Sequence, residues 1–245
     1  MGKRRLPRLI FRWNRTAVAE RNKPMNDRRL FLKNGLLALV GIAGIAAGGK
    51  AEAAQGKRFG MIIDINRCTG CQSCVIACKA QNKTATDKFN TKVLSVEDGN
   101  YPDVRVVFTP VQCNQCVNPP CVPACPINAT FKLPNGIVVT DWNKCEGIGA
   151  CVPACPYEAR FLDNRFSNKV DKCDFCVNRL EKGLLPACVE ACEANARIFG
   201  DMNAPEGEFA EYLKRKDLNV HKPELKIKTS ILYVSSRSSK RGGSL

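Results

Sequence analysis

Fifteen cysteines in 245 residues define the chemistry available to this chain. They fall into four groups: Cys68, Cys71, Cys74 and Cys78; Cys113, Cys116, Cys121 and Cys125; Cys145, Cys151 and Cys155; and Cys173, Cys176, Cys188 and Cys192. Thiolates at this density are ligands for iron. Three cysteines at two-residue intervals wrap one loop around three corners of a cubane cluster. The three-residue step that follows turns the fourth thiolate toward a second cluster. Other thiol chemistries fit less well. The odd count, with three thiols between Cys68 and Cys74, makes a poor disulfide framework. Zinc ribbons use paired C-x2-C and do not need the longer run. A catalytic thiolate wants a base, and His221 is the one imidazole in the chain.

The third group lacks a ligand. Where the other spacings lead one to expect a cysteine between Cys145 and Cys151, position 148 is isoleucine, which cannot coordinate iron. The expectation is a [3Fe–4S] centre held by Cys145, Cys151 and one cysteine from the partner repeat. A cubane with water or Glu146 on its fourth iron is the alternative. Either would be tuned differently from three full [4Fe–4S] centres.

These ligands need repeated supports, and the sequence repeats. Cys121 to Pro126 recurs letter for letter as Cys151 to Pro156, and the exits Cys125–Phe131, Cys155–Phe161 and Cys192–Ile198 are alike. Short β-rich runs precede the first three groups at Gly60–Ile65, Val104–Thr109 and Gly136–Thr140. Each unit reads strand, ligand loop, short helix, strand. Two units make a bacterial two-cluster ferredoxin domain, so the fold class is α+β: two pseudo-duplicated ferredoxin-like halves, rich in clusters and with small cores. The boundaries expected are a first repeat at 54–112, a central pair carrying the deficient cluster at 113–165, a fourth repeat at 166–205 pairing back to the first, and a C-terminal docking strap and tail at 206–245. A short helix is expected near Gly207–Arg215, and His221 is expected at the surface.

Residues 1–53 read as an address. Arg28-Arg29 precedes the apolar run Gly35–Gly49, and small residues follow at Ala51–Ala54. This describes a twin-arginine export signal on an N-terminal extension, with translation expected from Met25. The run has 15 residues, whereas a spanning helix needs about 20. The same 53 residues hold 12 of the 38 basic groups and only 3 of the 23 acidic ones. The remaining excess is the right size to offset anionic clusters, roughly −2 each with their thiolates, and no nucleic-acid partner is expected.

Four cysteine groups, the wide gap from Cys176 to Cys188 and the paired-arginine leader resemble the iron–sulfur subunits of membrane-associated molybdopterin oxidoreductases. Cys113–Pro126 and Lys172–Cys192 carry the likeness most strongly. They are most similar to the B subunits of tetrathionate and polysulfide reductases, then to those of DMSO reductases and nitrite-reductase-associated proteins. Tetrathionate-type relatives usually keep the cysteine that Ile148 replaces here, and nitrate reductase B subunits, with tryptophan there, hold [3Fe–4S]. The resemblance implies four ligand sets: Cys68, Cys71, Cys74 and Cys192; Cys173, Cys176, Cys188 and Cys78; Cys113, Cys116, Cys121 and Cys155; and Cys145, Cys151 and Cys125. It also implies a periplasmic electron-transfer subunit with no catalytic site of its own. Its partners would be a molybdopterin catalytic subunit and a membrane quinol-oxidising anchor, through which it is peripheral to the membrane. A freestanding periplasmic polyferredoxin is the competing expectation.

Overall fold

A computed structural model describes residues 56–235 of the chain. The leader with its Met25 start and the tail at 236–245 lie outside the described residues. Within them no helix is long and apolar enough to cross a membrane.

The first expected strand is β1, Phe59–Asp64, one residue earlier than Gly60–Ile65. It leads through the first cysteine loop into α1, Ser73–Asn82. A hairpin of β2 (Thr91–Asp98) and β3 (Arg105–Gln112) comes next. Two short ribbons follow, β4 (Thr130–Lys132) with β5 (Val138–Thr140), and β6 (Phe161–Asp163) with β7 (Lys169–Asp171). The fourth group carries two single-turn helices, α2 (Val177–Leu180) and α3 (Ala187–Glu190), and then β8 (Arg197–Asp201). The chain closes with α4 (Gly207–Leu213), β9 (Leu218–Asn219) and β10 (Ile231–Val234).

Among the described residues, the one sheet wider than a ribbon has the order β8-β1-β10-β9, with β1 antiparallel to β8 and parallel to β10. Side chains alternate across a strand, so β1 serves two cores. Met61 and Ile63 face Ile231, Tyr233, Phe175 and the thiols of Cys74 and Cys188. Ile62 packs on the other side with Ile198, Val234, Phe209 and Tyr212. Each such aliphatic side chain contributes about 1.5–3 kcal/mol when fully buried.

Three expectations are corrected. Groups two and three have no helix after their ligand loops, only tight turns in which Val122 N donates to Pro119 O and Cys125 N to Val122 O. Pro119, Pro120, Pro123 and Pro126 supply no N–H and obstruct a continuing helix; α1 contains no proline. The last part of the expected strap does not run over the surface. Ile231, Tyr233 and Val234 are buried in the central sheet, and Thr229 and Ser230 bond to the second cysteine group through Cys116 and Asn114. His221 is half-buried rather than freely exposed: its ring lies 5.7 Å from Tyr233 and 6.2 Å from Tyr157, and partial burial lowers its pKa.

Candidate metal centres

All four ligand loops share a backbone feature. The residue before the second ligand position is left-handed in each: Gly70 (φ 73°), Gln115 (48°), Gly147 (76°) and Phe175 (55°). The deficient loop thus keeps the turn of the complete ones. Glycine fits such a turn without strain, and a methyl group at Gly70 would approach the Phe108 ring to 2.6 Å. The exits repeat as well. Asn128, Glu158 and Asn195, each three residues past the last cysteine of a group, are left-handed. The amides that follow two of them point at sulfur: Ala129 N lies 3.2 Å from Cys125 Sγ and Ala196 N 3.3 Å from Cys192 Sγ.

The fold brings the thiols together across groups. Cys68, held by the β1–α1 loop, is raised in pKa mainly by burial, with Cys74 and Cys192 adding repulsion. Cys71 is the exposed member of that loop and donates to Ser73 Oγ at 3.4 Å. Cys78, one turn along α1 from Cys74, is pushed up to about 12 by burial, with the charges of Cys188 and Cys176 adding repulsion. Burial also raises Cys173, with the charges of Cys78, Cys188 and Cys113 adding repulsion. Contact between α1 and α3 therefore joins groups one and four.

Groups two and three meet in the same manner. Cys113, Cys116, Cys121 and Cys155 line one cavity together with Tyr157 and Arg160. Burial pushes Cys116 up to about 12, and the other three thiols of that cavity repel its charge. A second cavity is lined by Cys125, Cys145, Cys151, Glu146 and Ile148. Burial acts to raise Cys125, but the Thr130, Ala129 and Ile127 amides outweigh it and bring the thiol below its ordinary pKa. Ile148 is 55% exposed at the mouth of this cavity.

These surroundings fit anionic iron–sulfur centres. Crowded thiols hold their protons until a metal displaces them, and two buried guanidiniums wait beside the sulfurs. Arg160 Nη2 lies 3.1 Å from Cys121 Sγ. Arg197 reaches Cys74 Sγ at 3.6 Å and Cys188 Sγ at 3.8 Å. The Nε atom of each arginine has no hydrogen-bond partner among the described residues. Among those residues no three of His, Cys, Asp and Glu are arranged to hold a single metal ion; what the second and third groups share is a cavity wall.

Sequence reasoning missed both arginines, although the signal was present. Each stands five positions past the last cysteine of its group, in exits already recognised as alike. It also missed Gln115 and Lys172. The Gln115 side chain donates to Cys173 O (2.9 Å) and accepts from Val138 N (2.7 Å), while Lys172 Nζ donates to the carbonyls of the same two residues. No letter pattern marks these two as buried.

Comparison with known proteins agrees with this chemistry. Residues 104–202 match the 4Fe-4S dicluster domain. The B subunit of tetrathionate reductase from Salmonella typhimurium is 46% identical over 187 residues, covering 75% of this sequence and 74% of that one. The corresponding polysulfide reductase polypeptide of Wolinella succinogenes, its B component, is 38% identical over 190 residues, 76% and 97% of the two sequences. Protein NrfC of Escherichia coli is 36% identical over 213 residues, 85% and 95% of the two. With four cysteine groups of this chemistry and relatives this similar over most of their length, the protein belongs to the family of iron–sulfur electron-transfer subunits of the molybdopterin oxidoreductases.

Proposed function

We propose that this protein is a periplasmic relay of four iron–sulfur centres, built as two ferredoxin-like halves. It carries electrons singly between a membrane quinol-oxidising subunit and a molybdopterin subunit that reduces tetrathionate, polysulfide or a related sulfur compound. The ligand sets are those the resemblance implies, with Cys145, Cys151 and Cys125 holding a [3Fe–4S] centre beside Ile148. When bound, the centres supply one-electron acceptance at iron; the chain orients the thiolates, keeps water out and sets the local charge.

One observation carries the reading: buried side chains link the thiol sets one to the next in a row. Arg197 reaches both Cys74 and Cys188, Lys172 joins Cys173 O to Val138 in the wall of the Cys113 cavity, and Arg160 joins Cys121 to Thr130 in the wall of the Cys145 cavity. The exposed Cys71 gives the row one end near the surface. The paired-arginine leader supports export, and the names of the relatives support a sulfur-compound reductase.

Iron and sulfide analysis with EPR on anaerobically purified protein tests the reading. About fifteen irons per chain with a narrow oxidised-state signal is the expected result. Sixteen irons without that signal would replace the [3Fe–4S] assignment by a non-cysteine ligand, and a colourless chain would end the relay. Isolation from its native source in a stable complex is expected; a lone monomer would favour the freestanding carrier.

A further inference from the structure

Three cations are buried among the described residues. Arg197 and Lys172 are each 3% exposed and Arg160 is 4% exposed, and none of them belongs to any ion pair among the described residues. An isolated charge is costly to bury; Lys172 has the Asp171 carboxylate beside it, but something other than Asp or Glu must balance Arg197 and Arg160.

Their positions follow the row of thiol sets. Arg197 opens β8 and holds fixed partners, donating to Thr91 Oγ1 (2.8 Å) and Gln112 Oε1 (3.1 Å). The same guanidinium reaches Cys74 from one set and Cys188 from the next. Lys172 Nζ donates to Cys173 O in the second set and to Val138 O, which belongs to the wall of the third set's cavity. Arg160 donates to Cys121 of the third set and to Thr130 Oγ1 (3.2 Å), which belongs to the wall of the fourth set's cavity. Four sets have three junctions, and each junction holds one cation.

We propose that Arg197, Lys172 and Arg160 are positioning residues that hold a fixed positive charge at each junction and raise the reduction potential of the centres on both sides. The proposal rests on the four-centre reading above. Reduction adds a negative charge, and a buried cation stabilises the reduced state more than the oxidised one. A cation between two centres shifts both in the same direction. It thereby lifts their level while leaving the difference between them, which drives each transfer, nearly unchanged.

The test is an EPR-monitored redox titration of the full-length holoprotein, wild type and variants, after iron has been counted. Arg197→Gln keeps an amide donor and removes the charge; Arg197→Lys keeps the charge. At fixed ambient potential, Arg197→Gln is expected to move the reduced-to-oxidised ratio of its two flanking centres about tenfold toward oxidised, which is 59 mV for a one-electron couple. The two distant centres should move far less, and Arg197→Lys should restore most of the shift. Lys172→Gln and Arg160→Gln should act in the same way on their own neighbours, so a failure to assemble at one junction leaves two trials. Full iron with unmoved potentials overturns the proposal, as does an equal shift of all four centres. Iron loss in all three Gln variants and in Arg197→Lys also overturns it, by assigning the cations to assembly alone. A wild-type chain without iron would sink the four-centre reading first, before any variant is compared.

Discussion

The region carrying groups one and four and the region carrying groups two and three solve the same coordination problem with different amounts of protein. The first has a ten-residue helix, the four-stranded sheet and a core of ten buried residues around Met61 and Phe175. The second has two ribbons of three-residue strands and a core of six, three of which are Cys121, Cys145 and Cys151. Remove the sulfur and the second core reduces to Ala129, Val138 and Val170. Where prolines forbid a helix, the metal must do the packing that α1 does in the first region.

Removing the iron is the severest way to break this contrast. Chelation under anaerobic conditions is expected to abolish amide protection at Ala129, Val138 and Val170 while β1 and β8 keep part of theirs, read by hydrogen exchange. Equal loss in both regions would show that the larger core does not stand without metal either. The contrast between the first and third loops can be erased by one change. Gly70 and Gly147 share a left-handed φ, so Ile148→Cys is expected to add a fourth thiolate without rebuilding the loop. Iron should rise by about one per chain and the narrow oxidised-state EPR signal should vanish; an unchanged signal would mean that the loops differ where it matters.

Packing comes next. Phe175 is 1% exposed and meets Phe199 edge-on at 5.3 Å, so Phe175→Ala should cost about 3–5 kcal/mol, seen as a lower denaturation midpoint of the holoprotein. A loss under about 1 kcal/mol, far below that range, would deny the first region its supporting core. The smallest effect belongs to an ion pair of the second region. Arg165 Nη2 lies 2.6 Å from Asp163 Oδ2, with the carboxylate buried and the guanidinium 41% exposed. Its hydrogen bond lowers the Asp163 pKa. The stabilisation is present above the ordinary carboxylate range and is lost as pH falls through the depressed native value. Asp163→Asn should therefore cost about 1 kcal/mol at neutral pH after allowance for solvent screening, and less in acid. Melting temperatures across roughly pH 3–7, the span over which such a carboxylate titrates, would check the sign.

The ligand loops were legible because coordination imposes spacing directly on the letters: groups, repeats, exits and the gap at Ile148 all stand in the sequence. The strands ahead of the groups were legible to within a few residues, since apolar alternation marks them. The missing helices were also written there, in prolines whose effect the repeat pattern obscured: Cys121–Pro126 looks like a unit that should coil as α1 does. The membership of β10 in the core was not legible. Four apolar residues beside a basic tail read equally well as a strap, and only the pairing of Met61 with Ile231 decides between the two. The cations were hidden for a related reason, because Lys172 looks like any surface lysine until its carbonyl partners are seen.

That parallel pairing of β1 with β10 also fixes an order of events during synthesis. β1 is among the first structured segments to leave the ribosome, and one of its two sheet neighbours is among the last. At about 5–20 residues per second, β1 waits roughly ten to thirty seconds for β10, with both edges unpaired until β8 emerges and with Met61 and Ile63 uncovered. By the end of that interval every ligand loop has emerged, so the thiols are open to whatever delivers iron before the sheet closes over them.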